Sequence, residues 1–353
     1  MKKIAVIGCG HGGQALAGHF SILGHSVNLY AHPRHLGGYE AVNRNGGVQC
    51  QGVVQGFGKL NLVTTNIEKA LKNTEYIFIA LPVPAHEAIF INMLPYIESN
   101  QIVINLSGHF SGIFQYDILK RSGWEKEILI ADITSFPYAC RSEKPSFANI
   151  LAIKNKMGIS SLNYSHGQEI KTAIQDFFPC ELVTMSSFIE TGLYDPCGIS
   201  HPPSVLFNAG RIGNKEEYYF YKDGVSIETA RFLEKIDEDR INIGKNLGFK
   251  LPPYYQVMND YYGLSHKSIY DFFKNSPIHN KNKLNPKSLN DRYISEDVPF
   301  SLVPWYSLGQ SAGYESSAMR NIIDITSILN QVDYLSAGRI ITKDHLKAYK
   351  ICG

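Results

Sequence analysis

The run Lys3–Ile7 leads directly into Gly8-Cys9-Gly10-His11-Gly12-Gly13, and then into a helical stretch bearing Ala15, Leu16, Ala17, Phe20 and Leu23. An apolar strand, a glycine turn and a helix, in that order, restrict the fold more than any other feature of the chain. Gly8, Gly10 and Gly13 fit the spacing G-x-G-x-x-G in the strand–turn–helix context that gives the pattern meaning. Gly8 permits the turn, Gly10 lets a pyrophosphate approach the backbone, and Gly13 lets the helix pack close to the strand. With His11 and Gly12 in the turn, the helix start offers N–H groups and a positive dipole end to phosphates. A dinucleotide is therefore the expected cofactor.

Residues 26–30 read as the second strand. An NAD site carries Asp or Glu about twenty residues after the glycines, to hold the ribose 2′-hydroxyl. Ala31-His32-Pro33-Arg34-His35 stands there instead. No carboxylate in this segment repels a 2′-phosphate, and Arg34, with His32 beside it, can pair with one bidentately. NADP(H) is the expected preference. NAD(H) is the alternative if Arg34 is only a solvated loop arginine.

The chain has 353 residues, more than most single cores hold, and its 44% hydrophobic content is enough to fill two. A net charge of +2 without a basic run argues against nucleic acid or a membrane surface as the main partner. The six cysteines, Cys9, Cys50, Cys140, Cys180, Cys197 and Cys352, show neither paired nor C-x-x-C spacing, so no disulfide framework and no metal site are expected. The apolar stretch after Met1-Lys2-Lys3 breaks at glycine, short of the roughly 7–15 residues a signal peptide needs. No segment reaches the length of a membrane span. A cytoplasmic protein acting on small molecules is the expectation.

The first half alternates apolar runs with helical stretches. Residues 76–81, 102–106, 128–131 and 149–154 read as strands, and 85–94 as a helix. This alternation predicts an α/β fold: a Rossmann-type, doubly wound, mostly parallel sheet. Ligands of such sheets sit beyond the C-terminal strand ends, so Pro82 and Ser107 should border the cofactor. In the second half, Ser226 caps a helix over 227–247 that stops at Gly248. Ala230, Leu233, Ile236, Ile241, Gly244 and Leu247 form its apolar stripe. A second long helix runs through Met319, Ile322, Ile323, Thr326, Leu329 and Val332. Residues 274–295 are polar and aperiodic and read as a loop. The expected domains are 1–180, binding the dinucleotide, and 181–353, mostly helical and carrying substrate and catalysis.

Three further segments hold polar residues that a core would not choose. They are Thr134-Ser135-Phe136-Pro137-Tyr138-Ala139-Cys140-Arg141, Ser200-His201-Pro202-Pro203 with Asn208 downstream, and Arg292-Tyr293-Ile294-Ser295-Glu296-Asp297. In this order, behind the glycine pattern, they resemble the octopine/nopaline (opine) dehydrogenase family over nearly the whole chain. Bacterial octopine synthase-like members are similar in the Pro-Tyr-Ala-Cys-Arg and Arg-Tyr-x-Ser-Glu-Asp segments.

The resemblance implies a reaction: an amino acid condenses with an α-keto acid, pyruvate or 2-oxoglutarate, and the imine is reduced with NAD(P)H to an opine. It implies a catalytic dyad of His201 and Asp297. That pairing makes chemical sense, because histidine titrates near neutral pH and a buried carboxylate fixes its tautomer. It implies that Arg292 grips a substrate carboxylate, with Arg141 as a second candidate. Thr134, Tyr261 and Asn208 fall in segments that border substrate in the family. Four of these have a plainer reading: a salt bridge for Arg292, structure for Arg141, packing for Tyr261 among 21 tyrosines, and a braced turn for Asn208. Some invertebrate members place a carboxylate just before the Pro-aromatic-Ala-Cys-Arg segment, where this chain has Thr134 and Ser135. Basic and neutral amino acids both stay open, and family members occur as monomers and homodimers.

Two other functions compete. A 2-keto acid reductase of the ketopantoate reductase type would share the sheet and cofactor but need no amine. A catalytically silent dinucleotide-binding protein would be expected to lack His201 or Asp297. Residues 274–295 are also the expected lid, since closure protects a hydrolysable imine from water.

Overall fold

The computed structural model describes residues 1–142, 144–281 and 285–349. Cys352 and residues 282–284 of the expected loop lie outside them. The chain forms two compact units that divide between Thr191 and Gly192.

Among the described residues, twelve strands build the first unit. They are β1 (Lys3–Ile7), β2 (Ser26–Tyr30), β3 (Gly47–Gly52), β4 (Gly56–Lys59), β5 (Leu62–Thr64) and β6 (Tyr76–Ile79). There follow β7 (Ile102–Leu106), β8 (Leu129–Ile133), β9 (Tyr138–Arg141), β10 (Phe147–Ile153), β11 (Lys156–Ser160) and β12 (Glu181–Thr184). Eight of them form one sheet in the order β12-β11-β8-β7-β6-β1-β2-β5. Every neighbouring pair is parallel except β11 with β8. Ile4, Ala5, Val6 and Ile7 are fully buried, as expected of a central strand covered on both faces. Val6 lies in register between Leu29 and Phe78.

The strand expected at 149–154 forms as β10 but belongs to a second sheet of order β4-β3-β10-β9. Its residues alternate between buried and part-exposed, which suits a sheet covered on one face. The helix His11–Ile22 packs against this smaller sheet as well as against β1 and β2. The first unit extends past β12 because that strand pairs with β11 in the first sheet.

Within the described residues the second unit has helices and no strands. The helix Ile227–Asn246 starts where Ser226 Oγ accepts a 3.2 Å hydrogen bond from the Thr229 amide. The chain then turns at Gly248, with φ +85°. Ala230, Leu233 and Ile236 face inward as expected, and Ile243 rather than Ile241 continues the buried stripe. Asp237, Asp239 and Arg240 are buried on the same helix. Arg240 bonds Asp237 Oδ1 at 2.7 and 2.9 Å and donates to the carbonyls of Leu193 (2.8 Å) and Pro252 (2.7 Å). Asp237 Oδ2 accepts from the Tyr254 amide at 2.7 Å and so fixes the start of the helix Tyr254–Tyr262. The helix Ser317–Asn330 ends at Gln331, which has φ +54°. Leu329 and Val332 stand outside its buried face. Among the described residues, no helix is long and apolar enough to cross a membrane, and no disulfide is present.

Candidate active site

In the first unit the glycine turn has the geometry its spacing predicts. Gly8 has φ +125°, and an added Cβ would stand 2.5 Å from the Ala80 carbonyl oxygen. At Gly13 an added Cβ would come within 1.8 Å of the Gly8 oxygen, so the helix is seated directly on the strand. Gly10 borders open space, and Gly12 faces the Phe136 ring. The helix His11–Ile22 has no acidic residue in its first turn and no side-chain cap among the described residues. These features fit a pyrophosphate placed at the helix start.

His11 Nδ1 accepts the Ser142 amide at 2.7 Å and ties the turn to the end of β9. Desolvation, and then the charge of Arg141, lower its pKa. Arg141 lies exposed at the end of β9, opposite Asn149. Beyond β2, His32 Nδ1 accepts the Arg34 amide at 3.2 Å and the Arg34 side chain is exposed.

Pro82 follows β6 and leads into a short 3-10 turn. Ser107 follows β7 with φ +53°, and His109 and Phe110 are also left-handed. Such residues cost on the order of 1 kcal/mol each unless their surroundings impose the conformation. Beneath them lies buried Asp132, which accepts from Asn105 Nδ2 at 2.8 Å and from the Gly112 amide at 3.1 Å. Sequence reasoning missed Asp132, since one acid at the end of an apolar run carries no pattern. Thr134 is buried after β8, with its hydroxyl accepting the Gly158 amide at 3.0 Å.

In the second unit His201 sits inside the helix Cys197–Leu206, ahead of Pro202 and Pro203, which lie in the same helix. Its Nδ1 is 2.7 Å from Asp297 Oδ2, although 96 residues separate the two. Their side chains are 16% and 8% exposed. Asp297 lies between the short helix Arg292–Ser295 and a π-helical turn, Val298–Leu302. The Tyr293 ring stacks on the imidazole at 3.9 Å and 20°, and is itself backed by Phe220 at 5.3 Å. With Nδ1 held by a carboxylate, Nε2 is the atom positioned to exchange a proton with a substrate.

The remaining expected residues are placed as follows. Arg292 is 69% exposed on its side chain, and its guanidinium lies 3.1 Å from the buried carboxylate of Glu296. Tyr261 is buried in the helix Tyr254–Tyr262, edge-on to Tyr262 at 6.4 Å. Asn208 donates both amide hydrogens, to the carbonyls of Ser204 and Gly224, at 2.8 Å each, and so braces its turn.

Cys197 was not anticipated at the site. It lies one helical turn before His201, part-buried, with its amide donating to Asp195 Oδ1 at 3.0 Å. Burial, and then the carboxylates of Asp195 and Asp297, hold its thiol well above the usual cysteine pKa. Its sulfur, a ring nitrogen of His201 and a carboxylate oxygen of Asp297 all lie within 4.8 Å of one another.

Residues 184–330 match the alpha-helical domain of NAD/NADP octopine/nopaline dehydrogenases. Residues 3–115 match the N-terminus of NAD-dependent glycerol-3-phosphate dehydrogenase. The opine dehydrogenase of Arthrobacter sp. (strain 1C) is 27% identical over 353 residues, covering 100% of this chain and 97% of that protein. An octopine dehydrogenase solved with NADH and L-arginine superposes with a TM-score of 0.79 at 19% identity, covering 98% of this chain and 94% of the other. A yersinopine dehydrogenase solved with NADP+ superposes with a TM-score of 0.70 at 13% identity, covering 96% and 92%.

Proposed function

We propose that this chain, which belongs to the octopine/nopaline dehydrogenase family, condenses an amino acid with an α-keto acid and reduces the imine with NAD(P)H to an opine, and that it catalyses the reverse oxidation. One observation carries the reading for these residues: His201 and Asp297, far apart in sequence, meet at 2.7 Å inside the region that matches the family's helical domain. The reduced nicotinamide supplies a hydride when bound. The chain's own residues handle protons and carboxylates. Condensation requires the amine to lose a proton and the departing hydroxyl to gain one. His201 can do both in turn through Nε2 while Asp297 holds the ring. Arg292 is our assignment for a substrate carboxylate, since its exposed guanidinium is the fork that suits one. The keto acid is pyruvate or 2-oxoglutarate. The unpaired cysteines suit a reducing, cytoplasmic setting.

The test is NADPH oxidation by the purified protein, with pyruvate or 2-oxoglutarate, in the presence and absence of pooled amino acids. Oxidation that requires both substrates is the expected result. Oxidation with keto acid alone would reassign the chain as a hydroxy-acid-forming reductase.

We also propose that NADP(H) is preferred, with Arg34 pairing the 2′-phosphate. Arg34→Ala should weaken NADPH binding about tenfold or more, the loss of one charge-assisted bond. NADH binding should be unchanged when both are followed by fluorescence titration. Equal weakening of both cofactors would remove Arg34 from this role.

A further inference from the structure

We propose that Cys197, His201 and Asp297 form a binding site for a thiophilic divalent cation, with Zn²⁺ as the probe, in which the metal takes the place of the hydrogen bond between His201 and Asp297. The helix Cys197–Leu206 places Cys197 and His201 four residues apart, on one face. Asp297 reaches the same point from the start of the π-helical turn. The three residues offer one sulfur, one nitrogen and one oxygen, the donor types that zinc takes. No other group of three such donors is found among the described residues.

In a tetrahedral site with bonds of about 2.0–2.3 Å, donor atoms stand about 3.3–3.8 Å apart. The present donors lie within 4.8 Å, and the His201–Asp297 pair at 2.7 Å. The sulfur closes in and the pair opens, each by about 1 Å or less. A fourth position stays for water. Arg292 opposes a cation here, but Glu296 lies 3.1 Å from its guanidinium, and Asp195 adds a carboxylate beside Cys197. Binding converts the thiol and M²⁺ into a metal thiolate and releases one proton to solvent, with no change in oxidation state.

Co²⁺ titrated into the whole reduced protein should give a thiolate-to-cobalt charge-transfer band saturating at one equivalent, and Zn²⁺ should displace it. Cys197→Ser should abolish the band and weaken Zn²⁺ by about tenfold or more in competition with a chromophoric chelator. In the same variant, the amino-acid-dependent turnover that remains should escape inhibition by Zn²⁺. Absence of the band in folded protein, or equal Zn²⁺ affinity in wild type and Cys197→Ser, would overturn the site. Cys197→Ala, checked by circular dichroism, replaces the serine variant if that one misfolds. Inhibition rests on the reaction proposed above, whereas the cobalt band does not, so the two readings can fail separately.

Discussion

Replacing His201 with alanine is expected to lower turnover by about 10²–10⁴-fold, the range for loss of a general acid/base. In the proposed reaction the proton path runs through Nε2, because Asp297 Oδ2 holds Nδ1 at 2.7 Å and Tyr293 covers one face of the ring. Asp297→Asn should cost a similar order, because an amide can meet Nδ1 with its NH₂ group as readily as with its oxygen, and the wrong tautomer then follows. NADPH affinity should be nearly intact in both variants, since the glycine turn belongs to the other unit. Steady-state rates paired with cofactor titration check this. A loss confined to an interaction made in the transition state lowers kcat and kcat/KM together. Wild-type turnover in His201→Ala would sink the mechanism.

The largest loss of stability is expected at Asp237. Arg240 is 1% exposed and would keep its charge with only the Leu193 and Pro252 carbonyls as partners. Breaking a buried ion pair from one side costs about 3–5 kcal/mol, most of it from the charge left behind. The Tyr254 amide loses its acceptor as well. Asp237→Ala should therefore lower the urea midpoint of the second unit steeply. The chain's two tryptophans are Trp124 and Trp305, so a Trp124→Phe background lets buried Trp305 report that unit. Replacing Arg240 with methionine in the same chain should recover much of the loss, since it removes the stranded charge. A cost below about 1 kcal/mol, the range of an exposed pair, would mean that water reaches Arg240.

The parts of this molecule differ in how far its sequence displays them. The Gly8–Gly13 turn is legible because backbone geometry admits no other residue at Gly8 and Gly13, so the requirement is written in residue identity. The parallel strands are legible because burial on both faces demands continuous apolar runs. The second sheet is not, because β3 and β4 are glycine-rich and half-exposed and resemble loop. Asp237 and Arg240 look like a solvated pair at helical spacing, and only tertiary packing makes them interior. The dyad lies between these cases. Neither His201 nor Asp297 stands out by itself, and no local rule links residues 96 apart. The resemblance paired them, and the fold supplies the distance.

The prolines after His201 carry a consequence beyond the site. Pro202 and Pro203 have no N–H to give to the carbonyls four residues earlier, so this helix lacks part of the ladder that would let it stand alone. What holds it is its neighbours. At Gly198 it comes so close to Ser301 and Trp305 that an added Cβ would stand 2.9 Å from each. The orientation of the imidazole is thus a property of the assembled unit, inherited from packing rather than from local backbone preference. A peptide or truncated fragment bearing Ser-His-Pro-Pro would carry the signature without its geometry. Grafting the motif onto a foreign scaffold would transfer letters and not a catalyst.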